Sequence, residues 1–320
     1  MRVKSACVLH IFVTLGCSAE PVRAPTPANE APAPREGLAD GSTVDAAEEP
    51  TVDGSAAVDV YDLEADRQAR MRAASLDLGA HAHAVMVTPP FVLAGATRAA
   101  TQGAAPFIEA VLGAYRNQRF DTAPTRAISI YVFPSAAQYH AYCRRQYGGD
   151  ECMSRFGFYL PDERKIIMQG GPGGTLSHEL AHPFYEADFP EGPTWLNEGI
   201  AALFEQPILH SKGEIHGGKN WRLPRLVQAM RASKERDYAR LPTLFGMSDD
   251  TFRGDRESLH YAMARYTCQW LDEHGWLWPF YRAYRDGIAT DPTGALAFAK
   301  VVGQSPADAD VTWRRWVLTL

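Results

Sequence analysis

The sequence predicts an α+β fold: a small mixed or antiparallel sheet in the first half, then a mainly helical C-terminal half. Three observations predict it. Residues 128–133, Ile-Ser-Ile-Tyr-Val-Phe, are a β-branched and aromatic run and give the strongest strand signal in the chain. Residues 156–160 and 165–169 flank Pro161-Asp162-Glu163-Arg164, a turn between two apolar runs, which reads as a hairpin. After Gly170-Gly171-Pro172-Gly173-Gly174, apolar residues recur mainly at helical spacing. Elements in that order are segregated rather than alternating, which argues against a doubly wound sheet. With 46% hydrophobic residues over 320 positions the chain can bury a substantial core.

The N-terminus reads as a targeting segment. Arg2 and Lys4 give a charged start, residues 6–16 are mostly apolar, and Gly16-Cys17 closes the stretch. Val13-Thr14-Leu15-Gly16-Cys17 resembles the cleavage box of bacterial lipoproteins, which implies residues 1–17 as signal and a lipid anchor on Cys17. An ordinary signal peptide with an incidental Cys17 is the alternative. Either reading implies export to the cell envelope, and the apolar run is shorter than the roughly 20 residues of a membrane span. Residues 18–61 hold Pro21, Pro25, Pro27, Pro32, Pro34 and Pro50 among many Ala and acidic residues, the composition of a disordered, extended tether.

The folded domain is expected over residues 62–320. Residues 62–72 are charged and helix-compatible, and residues 82–88 alternate as a strand before Pro89-Pro90 breaks it. Residues 107–115 repeat apolar positions at helical spacing, and residues 135–147 read as a helix after the strand at 128–133. Residues 165–169 are taken as an edge strand lining a cleft. Helices are expected over 175–185, 195–204, 224–230 and 258–271, with two more near the C-terminus. The net charge of −6, from 32 Lys+Arg and 38 Asp+Glu, gives no basic field to attract nucleic acid. Of five cysteines, Cys7 leaves with the signal and Cys17 is taken by the anchor. Cys143 and Cys152 bracket a polar loop in a compartment that permits a disulfide, whereas Cys268 sits in an apolar helical pattern and reads as a buried thiol.

The chemistry is concentrated in His178-Glu179-Leu180-Ala181-His182. On a helix the two histidines fall at i and i+4, so both imidazoles leave one face and can bind one tetrahedral Zn2+. Glu179, at the edge of that face, reaches a water beside the metal instead of the metal itself, as a general base must. Downstream stands Thr194-Trp195-Leu196-Asn197-Glu198-Gly199-Ile200-Ala201. Together these segments resemble the gluzincin clan of zinc metallopeptidases, whose third ligand is a Glu on the helix after His-Glu-x-x-His. Trp-Leu-Asn-Glu-Gly is close to the form found in aminopeptidases of that clan. The resemblance implies Glu198 as third ligand, a gluzincin-like fold and hydrolysis of peptide or protein substrates. Fifteen residues separate His182 from Glu198, fewer than in those aminopeptidases, so a tighter connection is expected here. Two imidazoles and a carboxylate leave a fourth position open, the mark of a catalytic zinc site.

The close resemblance covers residues 175–205. The Gly-rich turn before it and the helical half after it look like the wider peptidase-MA-like group of bacterial lipoproteins. The aminopeptidases' Gly-x-Met-Glu-Asn element is absent, so aminopeptidase activity is not implied. Tyr261 stands past the third ligand at a distance similar to that of the transition-state Tyr in those aminopeptidases, a resemblance that makes it the candidate to stabilise the charge that develops on the attacked carbonyl, with His260 as the other candidate. Glu205, seven residues past Glu198, can orient a ligand histidine, and Asp188 or Glu186 can do so from the connecting loop. Trp276, Trp313 and Trp316 read as packing aromatics. Pro183, directly after the second histidine, is expected to kink or stop the first zinc helix. Two functions remain open at this stage. One is an active, envelope-tethered zinc peptidase or related amidohydrolase; the other is a non-catalytic, zinc-stabilised domain that binds a partner.

Overall fold

The computed structural model describes residues 60–148, 152–169, 174–210 and 213–320. The expected targeting segment with its lipid box, and all but the last two residues of the expected tether, lie outside the described residues. Helix α1 (Leu63–Leu78) starts at Asp62, whose carboxylate accepts from the Ala65 amide as an N-cap. Strands β1 (His83–Met86) and β2 (Phe91–Gly95) pair antiparallel. Helix α2 (Arg98–Ala114), capped by Thr97, runs into a π-helical turn at Tyr115–Arg119. Strand β3 (Ile128–Phe133) and helix α3 (Ala136–Tyr147), capped by Ser135, match the expected residues almost to the position. The hairpin follows as β4 (Gly157–Leu160) and β5 (Lys165–Gln169).

These strands make one mixed sheet in the order β1-β2-β3-β5-β4, with β2, β3 and β5 parallel and an antiparallel strand at each edge. Alternation along β3 divides the core. Ile128, Ile130 and Val132 join α2 and the helical half, while Tyr131 and Phe133 face Tyr139, Tyr142 and Cys143 of α3.

The C-terminal half begins with α4 (Gly174–Asp188) and α5 (Thr194–Leu203). A two-stranded sheet of β6 (Pro207–Leu209) and β7 (Ile215–Gly217) follows. Helices α6 (Leu223–Arg231), α7 (Leu241–Phe245), α8 (Asp249–Phe252) and α9 (Glu257–Glu273) come next. The described chain ends with α10 (Leu277–Gly287), α11 (Ala295–Val302) and α12 (Pro306–Thr319). The fold is therefore α+β with a mixed sheet and a mainly helical C-terminal half. No described helix is long and apolar enough to cross a membrane.

Several expectations are corrected. Residues 165–169 are not an edge: β5 lies between β3 and β4, and β4 is the edge strand on that side of the sheet. Three helices, not two, close the chain. Helix α4 does not end at Pro183 but continues to Asp188; its Leu176, Leu180, Ala181, Phe184 and Tyr185 are buried, and that packing offsets the lost backbone bond. Strand β2 was not expected, because all five of its residues are buried and a strand buried on both faces shows no alternation. The Cys143–Cys152 disulfide is present, and Cys268 is a buried free thiol.

Candidate metal centre

Helices α4 and α5 are fixed to each other and to the sheet before any metal is considered. Tyr115 donates its hydroxyl to the Ser177 carbonyl at 2.7 Å, tying the π-helical turn to the first turn of α4. The Ser177 hydroxyl donates to the Phe204 carbonyl at 2.6 Å, tying α4 to the end of α5. Gly174 is needed where these ends meet, because a β-carbon there would collide with the Glu205 carbonyl oxygen. At the far end of α4, Asp188 accepts from the Thr122 amide and from Arg285, both at 2.9 Å. Asp188 thus anchors the helix rather than orienting a ligand, as the sequence had suggested.

On this frame His178, His182 and Glu198 bring one ligand atom each to within 4.8 Å of one another. Glu198 Oε2 lies 3.4 Å from His178 Nε2 and 4.0 Å from His182 Nε2. Glu179 Oε2 is 3.9 Å from His182 Nε2, beside the group but not a member of it. All four side chains are almost wholly enclosed. Glu198 Oε2 has no hydrogen-bond donor, and it is the one carboxylate oxygen in that condition among the buried atoms of the described residues. A buried carboxylate oxygen without a donor is costly, and two imidazole nitrogens beside it complete a donor set that could hold a metal ion.

Each member of the set has a second partner. His182 Nδ1 donates to the Asn197 side-chain oxygen at 2.9 Å, which leaves Nε2 turned toward Glu198 Oε2 at 4.0 Å. Glu205 Oε1 faces His178 Nδ1 at 3.5 Å, an ion-pair distance rather than a short hydrogen bond. Glu205 is itself saturated by Arg222 Nε and Nη2 at 2.8 and 2.6 Å and by Asn220 at 2.8 Å. Glu198 Oε1 accepts from Arg253 Nη2 at 2.9 Å. Glu186 bonds the Tyr159 hydroxyl at 3.2 Å and makes no hydrogen bond to either histidine.

The charges follow from this packing. Burial opposes charging His178, but the Glu198 and Glu205 carboxylates beside it outweigh that and raise it above the usual imidazole range. Burial likewise works against Glu198, yet His178, His182 and Arg253 hold it well below the usual carboxylate range. Glu179 goes the other way: burial pushes its carboxyl up, and the two imidazoles only partly oppose it. Two neighbouring glutamates thus differ, one held as an anion and one inclined to take a proton.

Asn197-Glu198-Gly199 divides three tasks among consecutive residues. Asn197 orients His182, Glu198 faces the imidazoles, and Gly199 lets α9 approach. A β-carbon on Gly199 would sit 2.8 Å from Cys268 Sγ and 2.9 Å from the Ala264 carbonyl oxygen.

Of the two proposed charge-stabilising residues, Tyr261 reaches this neighbourhood. Its hydroxyl accepts from Arg253 Nη1 at 3.3 Å, and burial followed by the Glu198 charge pushes its pKa up, so it keeps its proton. His260 is buried with Nδ1 on the Phe252 carbonyl at 3.0 Å. Sequence reading missed Asn197, Asn220, Arg222 and Arg253 as partners. Asn197 was legible in principle, sitting inside the quoted motif; the other three come from distant segments and carry no local signal.

No protein-family model matches the chain, and no curated protein matches it either.

Proposed function

We propose that this protein is a zinc-dependent hydrolase of amide bonds, a peptidase of the gluzincin type, acting on peptide or protein substrates and not on nucleic acid. The observation that carries the reading is the bare, buried Glu198 Oε2 facing two imidazole nitrogens of a His-Glu-x-x-His helix. His178, His182 and Glu198 would hold the ion. Zinc at such a site polarises a carbonyl and lowers the pKa of water.

The chain's own groups do the rest. Glu179 takes the proton of the attacking water and returns it to the leaving amine. Its upward-shifted carboxyl suits both halves of that transfer near neutral pH. Asn197 and Glu205 fix the imidazoles from behind. Tyr261, a protonated donor close to Glu198, stabilises the oxygen that gains negative charge; His260 is the weaker candidate because the Phe252 carbonyl already engages it. In the same reading the enzyme is exported and tethered to the cell envelope through a lipid on Cys17. There the Cys143–Cys152 bridge meets the oxidising conditions it needs.

The test is metal analysis of the purified domain together with cleavage of randomised peptide libraries near pH 7, wild type against Glu179→Gln. The wild type should hold one zinc and cleave; Glu179→Gln should hold the same zinc and lose about 10²–10⁴-fold in rate. Equal rates with zinc in place would end Glu179's role, and a zinc-loaded wild type that cleaves nothing would favour the partner-binding alternative.

A further inference from the structure

Two arginines support the metal centre, and they are built differently. Arg222 is spent: its Nε and Nη2 grip both oxygens of Glu205 at 2.8 and 2.6 Å, and its side chain is only 12% exposed. Its guanidinium also stacks between the rings of Trp221 and Tyr261, at 4.1 and 4.8 Å. Arg253 is not spent. It gives Glu198 Oε1 one N–H at 2.9 Å and makes a longer contact of 3.3 Å to the Tyr261 hydroxyl, while 53% of its side chain stays exposed. A guanidinium has five N–H donors, so most of the Arg253 fork is free. Its position is set by the backbone, because it ends α8 with its amide bonded to the Asp249 carbonyl. Helix α8 is pinned to α5 where Asp249 accepts from the Thr194 amide at 3.2 Å.

We infer that Arg253 is a substrate-binding residue that receives a carboxylate at the mouth of the metal centre, an inference that rests on the peptidase reading above. A residue needed only to hold Glu198 would be enclosed with it, as Arg222 is enclosed with Glu205. Arg253 instead joins a metal-facing carboxylate to solvent through a planar fork whose geometry matches a second carboxylate. Tyr261 beside it carries the Arg222 guanidinium on its ring, and that guanidinium in turn lies over Trp221, which is 70% exposed and offers apolar surface for the chain that bears the acid. The carboxylate comes either from a peptide C-terminus, which makes the enzyme prefer bonds near the end of a chain, or from an Asp or Glu side chain.

The experiment uses zinc-loaded Glu179→Gln protein, which binds peptides without turning them over. Randomised, N-acetylated tetrapeptide pools are offered in matched forms: free acid, C-terminal amide, and amide with Asp/Glu replaced by Asn/Gln. Retention is read by equilibrium dialysis and mass spectrometry. Peptides with a carboxylate should be retained about tenfold better than the neutral pool, and Arg253→Gln should bring the ratio of acid to neutral retention to about one. Arg253→Lys, which keeps the charge without the fork, should retain part of it. Preference for the free acid over the amide identifies the C-terminus as the source; preference that follows Asp/Glu identifies the side chain. If Arg253→Gln sheds its zinc, the acid-to-neutral ratio on the parent protein and on Arg253→Lys still decides. Equal retention of acid and neutral pools, or a preference that survives Arg253→Gln, overturns the inference. The peptidase reading then stands or falls separately, on whether wild type cleaves the same pools. If no pool is bound or cleaved, both fall together.

Discussion

On one face of the five-stranded sheet, α1 and α3 bury Ala74, Tyr139, Tyr142 and Cys143 against Tyr131, Phe133 and Ile167. On the other, Ile128, Ile130, Ile166 and Met168 meet α2, α4 and the helical half. Both layers bury apolar residues, but they treat carboxylates differently. Asp66, in the first turn of α1, accepts from Tyr61 and Arg164 and forms an ion pair with Arg70. Glu198, in the α4–α5 layer, gives one oxygen to Arg253 and leaves the other bare beside two imidazoles. A buried carboxylate oxygen without a hydrogen-bond donor subtracts from stability, so a fold carries one where a ligand repays it. Burial alone therefore does not mark a site; a buried carboxylate oxygen left without a donor beside two imidazoles does.

If the two layers are as separable as this contrast implies, changes on each should register in different measurements. The largest effect is expected at the ligands. His178→Ala, His182→Ala or Glu198→Ala should weaken zinc binding by more than about 100-fold, since loss of a mere supporting partner already costs about 10–100-fold. Competition against a chelator of known affinity measures this, and wild-type affinity in any one variant would remove that residue from the donor set. Opening the disulfide should do the converse. Cys143→Ser with Cys152→Ser frees a closure of sequence separation 9, which the chain-entropy argument puts at roughly 2–3 kcal/mol of stability. Urea unfolding should show that loss while zinc affinity stays unchanged; a parallel fall in both would mean the layers are coupled. Gly199→Ala sharpens the contrast from within the site layer. Its β-carbon would press on Cys268 and the Ala264 carbonyl, at about 1–3 kcal/mol. Because Glu198 is the preceding residue, zinc affinity should fall as well, and stability loss with unaltered zinc binding would contradict the packing role argued for this glycine.

How much of this was legible beforehand follows the same division. The pattern at 178–182 was readable because helical spacing converts sequence distance into geometry, so His178 and His182 had to share a face with Glu179 at its edge, whereas the Asn-Glu-Gly of α5 was readable only through its resemblance to a family motif. Strand β3 was readable because β-branched and aromatic residues crowd a pleated surface. Strand β2 was not, since a fully buried strand lacks polar alternation. The interior position of β5 was not either: a hairpin signal says which two strands pair, and nothing local says that β3 takes the other edge of β5. Arg222 and Arg253 were invisible for a related reason. Their partners, Glu205 and Glu198, lie 17 and 55 residues away in sequence, and only the packing of the helical half brings them together.

The smallest expected effect tests the scaffold layer by pH. Burial alone would raise the Asp66 carboxyl, but the Tyr61 hydroxyl with Arg70 and Arg164 outweighs it and lowers the pKa in the folded protein. A depressed folded value means the unfolded chain binds the proton more readily, so the stabilisation is fully present above the unfolded carboxyl value of about 4. It fades as pH falls from there through the lowered folded value. Asp66→Asn should therefore cost about 0.5–1 kcal/mol at pH 7, the scale of a partly exposed ion pair. The difference between wild type and variant should shrink toward zero on acidification below pH about 4. Urea unfolding of both proteins at a series of pH values measures the difference directly. Zinc affinity at pH 7 should be the same in both, because Asp66 shares no partner with His178, His182 or Glu198. A difference that persists undiminished at low pH would assign the role of Asp66 to shape rather than charge, and a shifted zinc affinity would join the two layers that the sheet separates.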